Sequence, residues 1–209
     1  MKLKVCGMRD SDNVGLVASL HPNYMGFIFH ATSPRNTSSI LQKETIENLP
    51  IDIEPVAVFV NKELEDALAI LKQYNFKHAQ LHGNESPEYC EAIKENGFGV
   101  FKVFSIDEST NFSEMEKYLE VADYFLFDTK SPKHGGTGLK FDWDLLEQYT
   151  LNKPVLLSGG IGPEDVKLVQ QALLKYPWIH GLDLNSRFEV SPGLKDMEKL
   201  RIFFEAFGR

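Results

Sequence analysis

Two reactive side chains, a thiol and a carboxylate, stand at the ends of apolar runs that are far apart in this chain. Cys6 ends the run at positions 2–6, and Asp128 ends the run at positions 124–128. A carboxylate at the end of an apolar run must be solvated, be paired with another group, or take part in a reaction. A thiol becomes a base once it loses its proton. If both runs are parallel strands of one sheet, we expect these groups to meet as a general acid–base pair.

Each of these residues also has a structural interpretation. A free cysteine is usually a small buried hydrophobic residue, and Asp often caps a turn. The second cysteine, Cys90, lies in a predicted helix at 87–96, where a structural role is preferred. A reducing cytosol would keep both cysteines as thiols, so we treat them separately.

Three further polar residues follow predicted strands. Arg35 lies in the loop after the second strand, where its planar guanidinium could hold a substrate carboxylate, although most loop arginines are simply solvated. His82 and Asp183 lie at the ends of the fourth and eighth strands. Neither has a neighbour at His-x-x-x-His or Cys-x-x-Cys spacing, so we predict no metal and no redox cofactor.

The loops after the seventh and eighth predicted strands carry a possible phosphate site. Gly159 and Gly160 follow the seventh strand, and Asn185 and Ser186 follow the eighth. In many barrels these two loops bind phosphate through backbone N–H groups. The alternative is that the glycines only serve a tight strand-to-helix turn. A third glycine-rich loop, at 130–138, could close over a ligand, but it lacks the Walker spacing.

The elements that must position these residues alternate strictly. Short apolar strands are predicted at 3–7, 24–29, 54–60, 78–81, 99–104, 124–128, 155–158 and 181–184. Helices are predicted between and after them at 12–20, 38–48, 62–74, 87–96, 112–121, 143–149, 163–175 and 194–207. Eight strand–helix units favour a single-domain (β/α)8 barrel (TIM barrel) over residues 1–209, with its working residues at the C-terminal ends of the strands.

The overall composition limits the partners. Thirty acidic against 22 basic residues give a formal charge of −8, and no basic run is present that would bind nucleic acid. The sequence has no membrane-length apolar stretch and no signal-peptide pattern, so we expect a cytoplasmic protein without a membrane partner. The acidic composition is compatible with a monomer. A small anionic substrate would need a local positive pocket.

Taken together, the motifs resemble those of the phosphoribosylanthranilate isomerase family. The matching segments are collinear and span nearly the whole chain. They are KVCGM at 4–8, GFIF at 26–29 with SPR at 33–35, VFVN at 58–61, QLHG at 80–83, FDT at 127–129, GGTG at 135–138 with FDW at 141–143, LSGG at 157–160, and SPG at 191–193 with KD at 195–196.

The resemblance implies an Amadori rearrangement of N-(5-phosphoribosyl)anthranilate to 1-(2-carboxyphenylamino)-1-deoxyribulose 5-phosphate, a step of tryptophan biosynthesis. It implies that Asp128 is the general acid and Cys6 the general base. It further implies that Arg35 holds the anthranilate carboxylate and that Asp183 contacts the ribose. By the same resemblance, the backbone around Gly159, Gly160, Asn185 and Ser186 holds the phosphate, and His82 is a substrate-binding candidate.

One segment departs from the family pattern. After the eighth strand the family commonly reads DVSSGVE, whereas this chain reads DLNSRFE at 183–189, with Arg187 in place of a glycine. Arg187 could give the phosphate a positive charge or point outward. Two alternatives stay open at this point: another phosphosugar barrel such as an aminoimidazole-carboxamide ribotide isomerase, and a catalytically silent phosphate-binding barrel. Such related isomerases usually employ paired aspartates, so Cys6 disfavours the first.

Overall fold

Eight parallel strands close into a barrel in the order of the sequence, with β1 paired to β8. The computed structural model describes residues 1–129 and 142–209. The predicted glycine-rich loop at 130–138 lies outside the described residues. The barrel strands are β1 Lys2–Cys6, β2 Tyr24–Ile28, β3 Glu54–Phe59, β4 His78–Leu81, β5 Gly99–Ile106, β6 Tyr124–Thr129, β7 Val155–Leu157 and β8 Ile179–Leu184.

Helical segments connect the strands on the outside of the barrel. The α-helices are α1 Ser11–Ala18, α2 Lys43–Glu47, α3 Leu64–Gln73, α4 Pro87–Glu95, α5 Val166–Lys175 and α6 Met197–Glu205. Short 3₁₀ helices occupy Phe112–Tyr118, Trp143–Gln148, Pro163–Asp165 and Ser186–Phe188. A small antiparallel hairpin, β9 Glu189–Ser191 with β10 Leu194–Lys195, stands between β8 and α6.

The predicted (β/α)8 architecture is confirmed, and three details of the prediction are wrong. Residues 38–42 are not helical, because the Asn36 side chain accepts hydrogen bonds from the backbone and hydroxyl of Ser38 and turns the chain. Residues 194–195 form β10 because they pair with β9 across the turn at 192–193. The segments after β5 and β6 are 3₁₀ rather than α-helical.

Helix starts follow local signals in the sequence. The Ser86 side chain accepts a hydrogen bond from the backbone of Tyr89, and Pro87 occupies the first turn of α4. Asp10 caps α1 and Asp196 caps α6 in the same way. Such caps satisfy backbone N–H groups that have no partner within the helix. They therefore fix where α1, α4 and α6 begin.

Alternation along the strands separates two layers of the core. One set of strand side chains packs against the helices, as Met25 and Phe27 of β2 do. The other set fills the barrel interior with a cluster that includes Tyr24, Phe101 and Leu126. Because successive side chains of a strand point to opposite faces, the residues two positions after this interior cluster also face inward, at the C-terminal end of the barrel.

Candidate active site

A cavity of about 830 Å³ opens at the C-terminal ends of the barrel strands. Its lining contains every site residue that the sequence predicted. These are Cys6, Arg35, His82, Asp128, Gly159, Gly160, Asp183, Asn185 and Ser186. Residues separated by more than a hundred positions are thus brought into one space by closure of the barrel.

Strand alternation turns the two reactive groups toward each other. Val5 and Phe127 pack outward against the helices, so Cys6 and Asp128, the next residues in their strands, point inward. Strands β1 and β6 are separated around the barrel by β7 and β8. The thiol and the carboxylate therefore face the cavity from different sides.

Cys6 lies in a buried and charged environment. Burial raises the pKa of the Cys6 thiol above its ordinary value, and the positive charge of Lys4 opposes that rise. The Lys4 ammonium is itself fully buried and donates a hydrogen bond of 2.9 Å to Asp183 Oδ1. Burial alone would lower the pKa of Lys4, but Asp183 and Cys6 outweigh it and raise the pKa. The direction of this shift favours the protonated form of Lys4, which places a positive charge beside the thiol.

Asp128 is buried, and among the described residues two polar groups contact its carboxylate. The backbone N–H of Thr129 donates to Oδ1 at 2.9 Å, and His82 Nε2 lies 3.3 Å from Oδ2. On its other ring nitrogen, His82 Nδ1 lies 3.4 Å from Nε2 of the buried Gln80. Since an amide nitrogen only donates, this contact favours the tautomer in which His82 Nε2 carries the proton toward Asp128.

Arg35 is bound by a carboxylate of the protein itself. Its Nη2 lies 2.6 Å from Glu189 Oε2, and its Nε donates to the same carboxylate at 2.9 and 3.1 Å. Lys195 Nζ also donates to Glu189, at 2.7 Å, and to Asn185 Oδ1, at 2.8 Å. Burial alone would raise the pKa of Glu189, but Arg35 and Lys195 lower it. Burial lowers the pKa of Lys195 to about 8, against the opposing effect of Glu189.

Glycines permit the close approaches that shape the cavity. Gly7 has φ +76°, and a Cβ there would lie 2.7 Å from both Arg35 Cδ and Asn185 Oδ1. Gly159 has φ +89°, and a Cβ there would lie 2.7 Å from the backbone nitrogen of Thr129. A side chain at Gly7 would therefore collide with two residues that line the cavity, and a side chain at Gly159 would collide with the end of β6.

Sequence reasoning missed several buried charges around the cavity. Lys4 and Lys195 belong to motifs that were noticed, yet neither was assigned a role. The signal for Lys4 was its position two residues before Cys6, which places both side chains on the same face of β1. No comparable signal pointed to Glu189, because the hairpin that turns it inward was predicted as loop and helix.

Arg187, the departure from the family pattern, pairs with Glu164 rather than lining the cavity. Both side chains are about half exposed. Within residues 1–129 and 142–209, no group of three or more His, Cys, Asp or Glu side chains is arranged to hold a metal ion. In the same ranges, no helix combines the length and apolar character needed to span a membrane.

Comparison with known proteins decides the family. Residues 3–206 match the family model described as N-(5'phosphoribosyl)anthranilate (PRA) isomerase. The chain belongs to this family. It is therefore an isomerase of tryptophan biosynthesis, of the type that carries out an aldose–ketose Amadori rearrangement. The predicted family resemblance is confirmed.

Individual relatives match this chain over nearly their whole length. The N-(5'-phosphoribosyl)anthranilate isomerase of Parabacteroides distasonis is 39% identical over 206 residues, which cover 98% of this chain and 92% of that protein. A crystal structure of the Thermus thermophilus phosphoribosyl anthranilate isomerase is 28% identical, with a TM-score of 0.86, and the match covers 100% of this chain and 98% of that one.

A further relative is known with a ligand. That phosphoribosyl anthranilate isomerase was crystallised in complex with reduced 1-(o-carboxyphenylamino)-1-deoxyribulose 5-phosphate. It is 27% identical to this chain, with a TM-score of 0.77 and complete coverage of both chains.

Proposed function

We propose that Cys6 is the general base and Asp128 the general acid of the rearrangement of N-(5-phosphoribosyl)anthranilate. The observation that carries this proposal is the position of the two groups on β1 and β6 around one cavity. A base and an acid that approach a substrate from different sides can act on different atoms of it without neutralising each other. Each such proton transfer typically contributes about 10²–10⁴ in rate.

In the first step, protonated Asp128 gives its proton to the furanose ring oxygen. The bond between C1 and the ring oxygen breaks with its electron pair going to oxygen, while the anthranilate nitrogen lone pair forms the C=N bond of a protonated Schiff base. Asp128 is left as a carboxylate. The backbone N–H of Thr129 at 2.9 Å and His82 Nε2 at 3.3 Å stabilise that new charge.

In the second step, the Cys6 thiolate removes the proton from C2. The C2–H electron pair forms a double bond between C1 and C2, and the C=N electrons return to nitrogen, which gives the enolamine. Transfer of the enol proton and protonation of C1 then yield the ketone. The numbers of atoms and electrons are unchanged, as an isomerisation requires.

The remaining lining residues supply the binding contacts. We assign the anthranilate carboxylate to Arg35, the ribose region to Asp183 and His82, and the phosphate to the backbone around Gly159, Gly160, Asn185 and Ser186. The ligand of the crystallised relative also contains a carboxylate, a sugar chain and a phosphate, which supports a substrate with these three groups. Since the Glu189 carboxylate already pairs with the Arg35 guanidinium, the substrate carboxylate must share or replace that contact.

Turnover of freshly generated substrate, followed by the loss of anthranilate-type fluorescence, tests the proposal. We expect rapid loss with the intact protein and a fall of at least about 10² in kcat for Cys6→Ala and for Asp128→Asn. Cys90→Ala, at a buried cysteine within α4, is the matched control and should keep its activity. Full activity of Cys6→Ala or Asp128→Asn would refute the corresponding role. Substrate binding without turnover by the intact protein would favour the silent barrel instead.

A further inference from the structure

Lys4 is a fully buried lysine that the proposed chemistry does not use. It lies two residues before Cys6 on β1, so both side chains point into the barrel. Lys4 does not line the cavity, whereas Cys6 does. A buried ammonium is costly to desolvate, which calls for an explanation of its presence directly beneath the reactive thiol.

The absence of a side chain at Gly26, on the neighbouring strand, leaves a space beside both the Lys4 ammonium and the Cys6 sulfur. A Cβ added to Gly26 of β2 would lie 2.7 Å from Cys6 Sγ and 3.0 Å from Lys4 Nζ. The two atoms are therefore no more than about 6 Å apart. An opposite charge within ~4–6 Å favours the ionised form of an acid by about 1–3 pKa units.

Charged groups from different elements influence the ionisation of the thiol. Among the described residues they are Lys4 from β1, Asp183 from β8 and Lys195 from β10. The two cations favour a thiolate, while Asp183 disfavours it. Asp183 also accepts the 2.9 Å hydrogen bond from the Lys4 ammonium, which holds the cation inside the barrel.

We propose that Lys4 is a positioning residue whose ammonium, held by Asp183, stabilises the thiolate of Cys6 during proton abstraction. This inference rests on the proposed role of Cys6 as the base. Burial works against ionisation of the thiol, and Lys4 is the largest influence that opposes burial. Lys4 therefore acts through Cys6 and not through the substrate.

The test measures the thiolate itself and does not require turnover. In a Cys90→Ala background, the rate of Cys6 alkylation by iodoacetamide is measured from pH 6 to 10 without substrate. We expect Lys4→Met to slow alkylation at pH 8 by at least ~10-fold and to move the inflection to higher pH by about one unit or more. With substrate, kcat should fall while KM changes little, because Lys4 does not line the cavity.

Two further variants separate this effect from damage to the fold. Lys102→Met removes another buried lysine, one that is paired with Glu85 on the outer face of the barrel, so it shows what a loss of stability alone does to the alkylation rate. The pH of the inflection should stay that of the parent in Lys102→Met. If Lys4→Met does not fold, the alkylation rate is measured on Lys4→Gln instead. The glutamine amide can keep a hydrogen bond to Asp183 but carries no positive charge. A profile within about two-fold of the parent in the folded variant overturns the proposal. Full activity of Cys6→Ala would instead overturn only the role of the base.

Discussion

The buried ion pair of Lys102 and Glu85 offers the sharpest test of what an unpaired charge costs in this barrel. Both side chains are almost completely buried, with Nζ 3.0 Å from Oε2. Glu85 also accepts hydrogen bonds from the backbone of Asn61 and Gly83, and Lys102 donates to the carbonyl oxygen of Gly83 at 2.7 Å. Lys102→Met leaves a buried carboxylate without its cation, which typically costs about 3–5 kcal/mol.

Urea unfolding of the intact protein and of Lys102→Met measures this cost. For a chain of this size, the same change corresponds to a fall in Tm of about 6–20 °C. Lys102→Met combined with Glu85→Gln removes the unpaired charge but keeps an acceptor for the backbone, so the double variant should be more stable than Lys102→Met by at least ~1 kcal/mol. A loss below ~1 kcal/mol for Lys102→Met would refute the reasoning.

Three further results are expected. Arg35→Ala should raise KM for the substrate at least ~10-fold with a smaller change in kcat, whereas unchanged kinetics would contradict its role in carboxylate binding. Gly159→Ala should lower the free energy of unfolding by about 1–3 kcal/mol, since it combines a positive φ with a clash at Thr129, and a neutral result in urea unfolding would argue against that strain. The pKa of Glu189 is lowered by folding, so its contribution to stability is present above about pH 4.5 and disappears as the pH falls through the lower folded value. The difference in unfolding free energy between the intact protein and Glu189→Gln should therefore shrink between pH 6 and pH 3, and a constant difference would exclude this linkage.

The sequence was sufficient for the barrel because its strands are short apolar runs with clear breaks between them. The ends of those runs also predicted the cavity, since parallel strands that close into a barrel place all their C-terminal ends together. Cys6, Asp128 and Asp183 were accessible to this reasoning because each directly continues or ends such a run.

The surrounding charges were not accessible in the same way. The contact between Glu189 and Arg35 joins residues 154 positions apart and depends on a hairpin of only five strand residues. A pattern this short cannot be distinguished from a loop or a helix start. The predicted helix at 38–48 also began too early, since α2 starts at Lys43. The Asn36 side chain accepts a hydrogen bond from the Ser38 backbone, and such local hydrogen bonds compete with helix formation.

The charged surroundings of Cys6 have a consequence for the order in which the barrel is assembled. Cys6 and Lys4 lie on β1, whereas Asp183 lies on β8 and Lys195 on β10. Until β8 pairs with β1, that strand lacks one of its two neighbours, and Lys4 lacks its carboxylate partner. The charged environment of the thiol is therefore complete only when closure of the barrel brings β8 and the β9–β10 hairpin beside β1.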